Sequence, residues 1–154
     1  MWAAYAYEGT ARDLVAALKF RHLLAVAAPI AELIAERAPE GLLAGMLVPV
    51  PAAPSRVRRR GFDPAEEIAA RLAALADLHY APCLARSDGP RQVGRSRASR
   101  IAQPPRVRAA GSVPAEALLI DDVITTGATL SACARALRGC GARRVAAVTF
   151  ARTL

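Results

Sequence analysis

The chain is poor in the residues on which several kinds of protein depend. Lys19 is the only lysine among 21 basic residues, aromatic residues make up 5% of the sequence, and there are three cysteines and two histidines. Cys83, Cys133 and Cys140 are odd in number, widely spaced and never arranged as Cys-x-x-Cys, which argues against a disulfide framework and against a zinc knuckle. They are expected to be small, partly buried hydrophobes. His22 and His79 stand apart, with no third residue at ligand or triad spacing, and are assigned no chemistry. Hydrophobic residues reach 54%, but alanine supplies much of that share. No stretch approaches the roughly 20 uncharged apolar residues a spanning helix needs, so no membrane insertion is expected. The opening, Met1 to Gly9, lacks the order of a secretory signal, which makes the cytoplasm the expected compartment. Neither Gly-x-Gly-x-x-Gly nor Gly-x-x-x-x-Gly-Lys occurs, so dinucleotide and P-loop readings are set aside.

The 154 residues suit one compact domain. The net charge of +8 is nearly all guanidinium, whose planar fork grips phosphate oxygens in pairs. That favours anionic partners without separating a nucleotide from a nucleic acid.

Local signals give an α/β order. Thr10 to Asp13 reads as a helix start, with Leu14, Ala17 and Leu18 at helical spacing. Pro29 suits the first turn of a second helix, with Ile30, Leu33 and Ile34 on one face, so the first forty residues are expected to be helical. Met46 to Val50 reads as a strand ending at Pro51, where a loop should begin. Asp63-Pro64-Ala65-Glu66 has a cap, a proline at the first helical position and an acid after it, followed by the stripe Ile68, Ala69, Leu72 and Leu75. A further strand is expected between His79 and Leu84, and Ser87 to Arg108 has the composition of a mobile loop. Ala117 to Ile120 suits a strand buried on both faces, a helix should run from Gly127 to Arg138, and Val145 to Phe150 suits another buried strand. Strand, helix, strand is a right-handed crossover, so a parallel sheet flanked by helices is expected, with its site at the carboxyl ends of the strands.

Asp121 and Asp122 follow the apolar run ending at Ile120. Adjacent carboxylates there can accept hydrogen bonds from neighbouring hydroxyls, as on a ribose, or hold a hard cation. Thr125-Thr126-Gly127-Ala128-Thr129 then forms a tight turn into a helix. Free N–H groups, hydroxyls and the positive end of the helix dipole make such a turn a cradle for a monophosphate.

The apolar strand, Asp121-Asp122 and Thr125-Thr126-Gly127-x-Thr129 resemble the signature of the type I phosphoribosyltransferases that binds 5-phosphoribosyl-1-pyrophosphate (PRPP). Val48-Pro49-Val50-Pro51, Arg56, Arg60-Gly61-Phe62 and Ala17-Leu18-Lys19-Phe20 add a resemblance to the competence-associated ComF family over nearly the whole chain. The resemblance implies a type I phosphoribosyltransferase-like fold, with a small helical hood over residues 1–44 and a PRPP-binding core over residues 45–154. It implies binding of PRPP or a nucleoside monophosphate with Mg²⁺, and phosphoribosyl transfer to a nitrogen acceptor with release of pyrophosphate. Asp121 and Asp122 would orient ribose and metal, and Thr125, Thr126, Gly127, Ala128 and Thr129 would hold the 5′-phosphate. Arg60 and Gly61 would belong to a pyrophosphate-binding segment, and Arg100 to a loop closing over the reaction centre.

The chain departs from the ComF pattern at two places. It has Gly61-Phe62-Asp63-Pro64 where the family usually shows Gly-Phe-Asn-Gln, and Arg100-x-x-Gln103 where the family shows Arg-x-x-Asn. The family tie and the charge also suit a catalytically weak, nucleotide-sensing or single-stranded-DNA-associated competence factor. Its macromolecular partners would be single-stranded DNA, a second copy of the chain or a component of the competence machinery.

Overall fold

The computed structural model describes residues 1–87 and 105–153. Four parallel strands form the main sheet: β1 (Trp2–Ala6), β2 (Met46–Pro49), β5 (Glu116–Ile124) and β6 (Arg144–Arg152), in the order β1-β6-β5-β2. Two short strands, β3 (Leu84–Arg86) and β4 (Val107–Ala109), pair antiparallel beside it. The helices are α1 (Gly9–Phe20), α2 (Ala27–Arg37), α3 (Pro54–Arg60), α4 (Pro64–Ala76) and α5 (Ala128–Gly139), with a 3-10 turn at Leu24–Val26.

β5 is the spine because it is apolar on both faces. Leu118 and Ile120 join Val148 and Phe150 of β6 in one core layer, with Val15 and Leu18 of α1, Ile30 and Ile34 of α2, and Ile68 and Leu72 of α4. Ala117 and Leu119 join Ala147 in a second layer, against Leu130, Cys133 and Leu137 of α5. Each fully buried side chain of this size contributes roughly 1.5–3 kcal/mol, and a strand covered twice is the most firmly fixed element available to carry a site.

Several elements differ from their expected forms. The first forty residues are not all helical: β1 pairs with β6 from Trp2 opposite Val148 to Ala6 opposite Arg152. As an edge strand it is half-buried except at Ala4, so no alternation advertises it. Thr10 lies inside α1 rather than capping it, the cap position being Glu8. The segment after Pro51 is not a continuous loop, since Pro54 in the first turn and a run of arginines, good helix formers, support α3. The strand expected at His79 to Leu84 begins only at Leu84, although Tyr80 forms a bridge with Leu47 of β2. Val107 and Arg108, expected in a loop, lie in β4. The start of α4 is as expected: Asp63 accepts a hydrogen bond from Ala65 N at 3.1 Å, with Pro64 in the first turn.

Candidate functional site

β5 runs on past its apolar segment to Ile124, so Asp121 and Asp122 lie within the strand rather than beyond it. Asp122 N donates to Asp121 Oδ1 at 2.9 Å and Val123 N donates to Asp122 Oδ1 at 2.6 Å. Both carboxylates line a cleft of about 440 Å³ at the carboxyl ends of β2 and β5. Burial and the neighbouring charge of Asp122 hold the Asp121 carboxyl well above the usual carboxylate range, with Lys19 opposing. Two crowded hard-oxygen donors of this kind fit a Mg²⁺ that keeps waters and shares substrate oxygens. Among the described residues there is no cluster of three or more side chains able to hold a metal by themselves.

The opposite wall comes from the arginine helix. Arg56, Arg59 and Arg60 of α3 line the cleft, as does Arg86 of β3. Arg60 is turned inward: its Nε donates to the main-chain carbonyl of Lys19 at 3.0 Å. Burial lowers its pKa, against the raising influence of Asp122 and Asp63. Gly61 ends α3 with φ 89°, a left-handed conformation that glycine adopts without strain. It is not among the residues lining the cleft; its contribution is to turn the chain sharply toward Asp63.

Asp63 closes that wall. Its Oδ2 accepts from Ala52 N at 2.7 Å, tying the segment that follows β2 to the start of α4. Burial raises its pKa, only partly offset by the hydrogen bonds from Ala52 and Ala65. Asp63 thus lines the cleft on its arginine side, with both carboxylate oxygens held by backbone N–H groups, at the position where the sequence departs from the ComF pattern.

The threonine turn forms the third wall. Thr125 and Thr129 line the cleft, while Thr126 and Gly127 line a neighbouring hollow of about 560 Å³ that shares Thr125 with it. Gly127 has φ 72° and caps α5, which starts at Ala128. A Cβ on Gly127 would meet Ile124 Cδ1 at 3.5 Å, an ordinary contact, so the glycine is required by its backbone conformation rather than by lack of space. The first turn of α5 supplies N–H groups without intrahelical acceptors, and of these Ala128 N reaches Thr126 Oγ1 at 3.4 Å.

Of the residues singled out from sequence, Asp121, Asp122, Thr125, Thr129 and Arg60 thus meet around one cleft. Thr126, Gly127 and Ala128 complete the adjoining turn. Arg100, with Gln92, Arg95 and Arg97 of the same segment, lies outside the described residues. Sequence reasoning gave no role to Tyr7, Phe20 or Lys19, which line the cleft from the amino-terminal segment. Lys19 and Phe20 were quoted only as part of the family resemblance, and a second signal for Lys19 was its being the one lysine in an arginine-rich chain. Its Nζ lies 2.8 Å from Asp122 Oδ1.

Residues 57–153 match the family model of the phosphoribosyl transferase domain. No curated protein matches the sequence. Among solved structures, the chain is similar to one described as the allosteric regulatory enzyme of purine biosynthesis, at 21% identity and a TM-score of 0.54 over 83% of this chain and 25% of the other. It is also similar to a glutamine PRPP amidotransferase from B. subtilis complexed with ADP and GMP, at 19% identity and a TM-score of 0.53 over 83% of this chain and 26% of that one. The chain therefore spans about a quarter of the length of these structures, and at such identities the likeness establishes the fold.

Proposed function

The chain belongs to the phosphoribosyl transferase domain family, and from that premise we propose that it binds PRPP with Mg²⁺ and transfers the phosphoribosyl group to a nitrogen acceptor, releasing pyrophosphate. The observation that carries this reading is the convergence of an acidic pair, an arginine helix and a threonine-glycine turn on one cleft at the carboxyl ends of the strands. PRPP has the matching order of parts: a sugar with vicinal hydroxyls between a monophosphate and a pyrophosphate.

In this assignment Asp121 and Asp122 receive the ribose hydroxyls and the metal side of the ligand. Thr125 to Thr129 and the first amides of α5 receive the 5′-phosphate, and Arg56, Arg59 and Arg60 receive the pyrophosphate. Bond cleavage at the ribose carbon builds positive charge there and negative charge on the departing pyrophosphate. In this reading the acidic pair and the arginines lower the energy of both. Bound Mg²⁺ supplies Lewis-acid stabilisation of the pyrophosphate oxygens. Arg100 belongs to the same proposal as a residue covering the reaction centre. ComF membership, a cytoplasmic location and a role in competence also belong to it, supported by the motifs quoted from the sequence.

A second reading has its own observation. Asp63 lines the cleft on its arginine side, where a carboxylate would oppose negative charge building on a leaving pyrophosphate, and this supports a protein that binds a nucleotide or PRPP and turns over slowly. Such a protein would act as a sensor or as a single-stranded-DNA-associated competence factor. Calorimetry with PRPP, with and without Mg²⁺, followed by pyrophosphate-release assays across bases and amines, separates the two. Release with one acceptor class supports the transferase, binding without release supports the sensor, and no binding of PRPP or nucleoside monophosphate removes both.

A further inference from the structure

The cleft already contains a cation on its acidic pair. Lys19 Nζ is 2.8 Å from Asp122 Oδ1, with the lysine side chain 27% and the aspartate side chain 6% exposed. The same oxygen accepts from Val123 N at 2.6 Å, so its hydrogen-bonding directions are largely taken up. The lysine is held at its other end too, since its carbonyl accepts from Arg60 Nε at 3.0 Å. One residue at the end of α1 thus joins the hood segment to the acidic pair on β5 and to the arginine helix. The twenty other basic residues are arginines, so the single side-chain ammonium in the chain, a compact and displaceable point charge rather than a rigid planar fork, sits on the acidic pair.

We propose that Lys19 is a positioning residue that takes the place of a divalent cation on Asp122 in the free protein, so that metal enters the cleft only with a phosphorylated ligand. The inference rests on the assignment of Asp121 and Asp122 to a PRPP–Mg²⁺ site. Its physical basis is simple: an ammonium and a divalent cation cannot both lie within about 3 Å of one carboxylate oxygen without strong mutual repulsion. Free metal must displace the lysine unaided. Metal carried by a pyrophosphate brings anionic oxygens that give the displaced ammonium a new partner.

Titration with Mn²⁺ alone, followed by the electron paramagnetic resonance signal of the free ion, tests the assignment. The account predicts weak uptake by the wild type, uptake at least tenfold tighter by Lys19→Met, and none by Lys19→Met/Asp122→Asn, in which the pair is removed without leaving a buried charge. Lys19→Arg, whose planar fork is less readily displaced, should restrain uptake at least as strongly as the wild type. Equal Mn²⁺ affinity in wild type and Lys19→Met would overturn it. Should Lys19→Met be unfolded in chelator, recovery of its far-ultraviolet circular dichroism on adding Mn²⁺ supports the assignment, and failure to recover contradicts it. PRPP binding by the same wild-type sample is measured separately: its loss defeats the proposed function, whereas unaltered PRPP binding with no Mn²⁺ contrast defeats this inference alone.

Discussion

The arginine wall and the threonine wall of the cleft present positive charge by opposite means. On α3 the positive charge is carried by long side chains, Arg56, Arg59 and Arg60, in a short helix with little buried surface. At the start of α5 it is carried by the backbone: a left-handed Gly127, the amides of the first helical turn and the hydroxyls around them. The α5 wall is anchored, because α5 buries Leu130, Cys133 and Leu137 against the sheet. The α3 wall has no buried residue of its own, and relies on Arg60 bonding to Lys19 and on Asp63 bonding to Ala52. One wall is preorganised by the fold; the other is assembled from side chains and can adapt or be retuned.

The sharpest way to break this contrast is at Gly127. Gly127→Val puts a β-branched residue at φ 72°, where it is a conformational outlier. We expect PRPP and ribose 5-phosphate binding to fall by more than 100-fold in calorimetry, while the melting temperature drops only by the few degrees that a strained turn costs. Gly127→Asn, which tolerates the left-handed region, should keep affinity within about tenfold; equal damage from both substitutions would mean that space, not backbone conformation, is what the glycine provides.

A smaller and more selective effect is expected on the other wall. Arg60→Ala removes charge-assisted hydrogen bonds worth roughly 1.5–3 kcal/mol, so pyrophosphate affinity should fall by about 10- to 150-fold with ribose 5-phosphate affinity nearly unchanged. Loss of both affinities would show that the two walls do not act separately. Smaller still, raising ionic strength from low to physiological should weaken pyrophosphate binding severalfold more than ribose 5-phosphate binding, since exposed side-chain charges are the more readily screened.

The least disruptive probe uses the cysteines. Burial, and then the charge of Asp121, push the Cys133 thiol beneath the threonine wall up to about 12, and burial also raises Cys83. Both therefore stay protonated at pH 8, whereas Cys140 is exposed. One thiol should react rapidly with a disulfide reagent in the native protein and all three after unfolding; rapid native reaction at Cys133 would mean that the α5 wall opens.

What the sequence made legible follows the same division. β5, the capped start of α4, and α5 with β6 carry strong local signals: a continuous apolar run, an Asp-Pro cap and a helical stripe closed by glycines. The threonine-glycine turn and the acidic pair come with them, because their placement depends on the strand and helix on either side. β1 was missed because Trp2 to Ala6 becomes a strand only by pairing with β6 at the far end of the chain. α3 was missed because a seven-residue polar helix has no apolar face to show. The ion pair of Lys19 with Asp122 depends on two elements meeting through the whole fold, and no spacing in the sequence encodes it.

The most direct measurement is calorimetric titration of PRPP in the presence of Mg²⁺ into the wild type and into an Asp121→Asn/Asp122→Asn variant. Saturable binding that weakens at least tenfold in the variant, with the folded state preserved by circular dichroism, is the predicted result. Undiminished affinity in the variant, or no binding by the wild type, would contradict it.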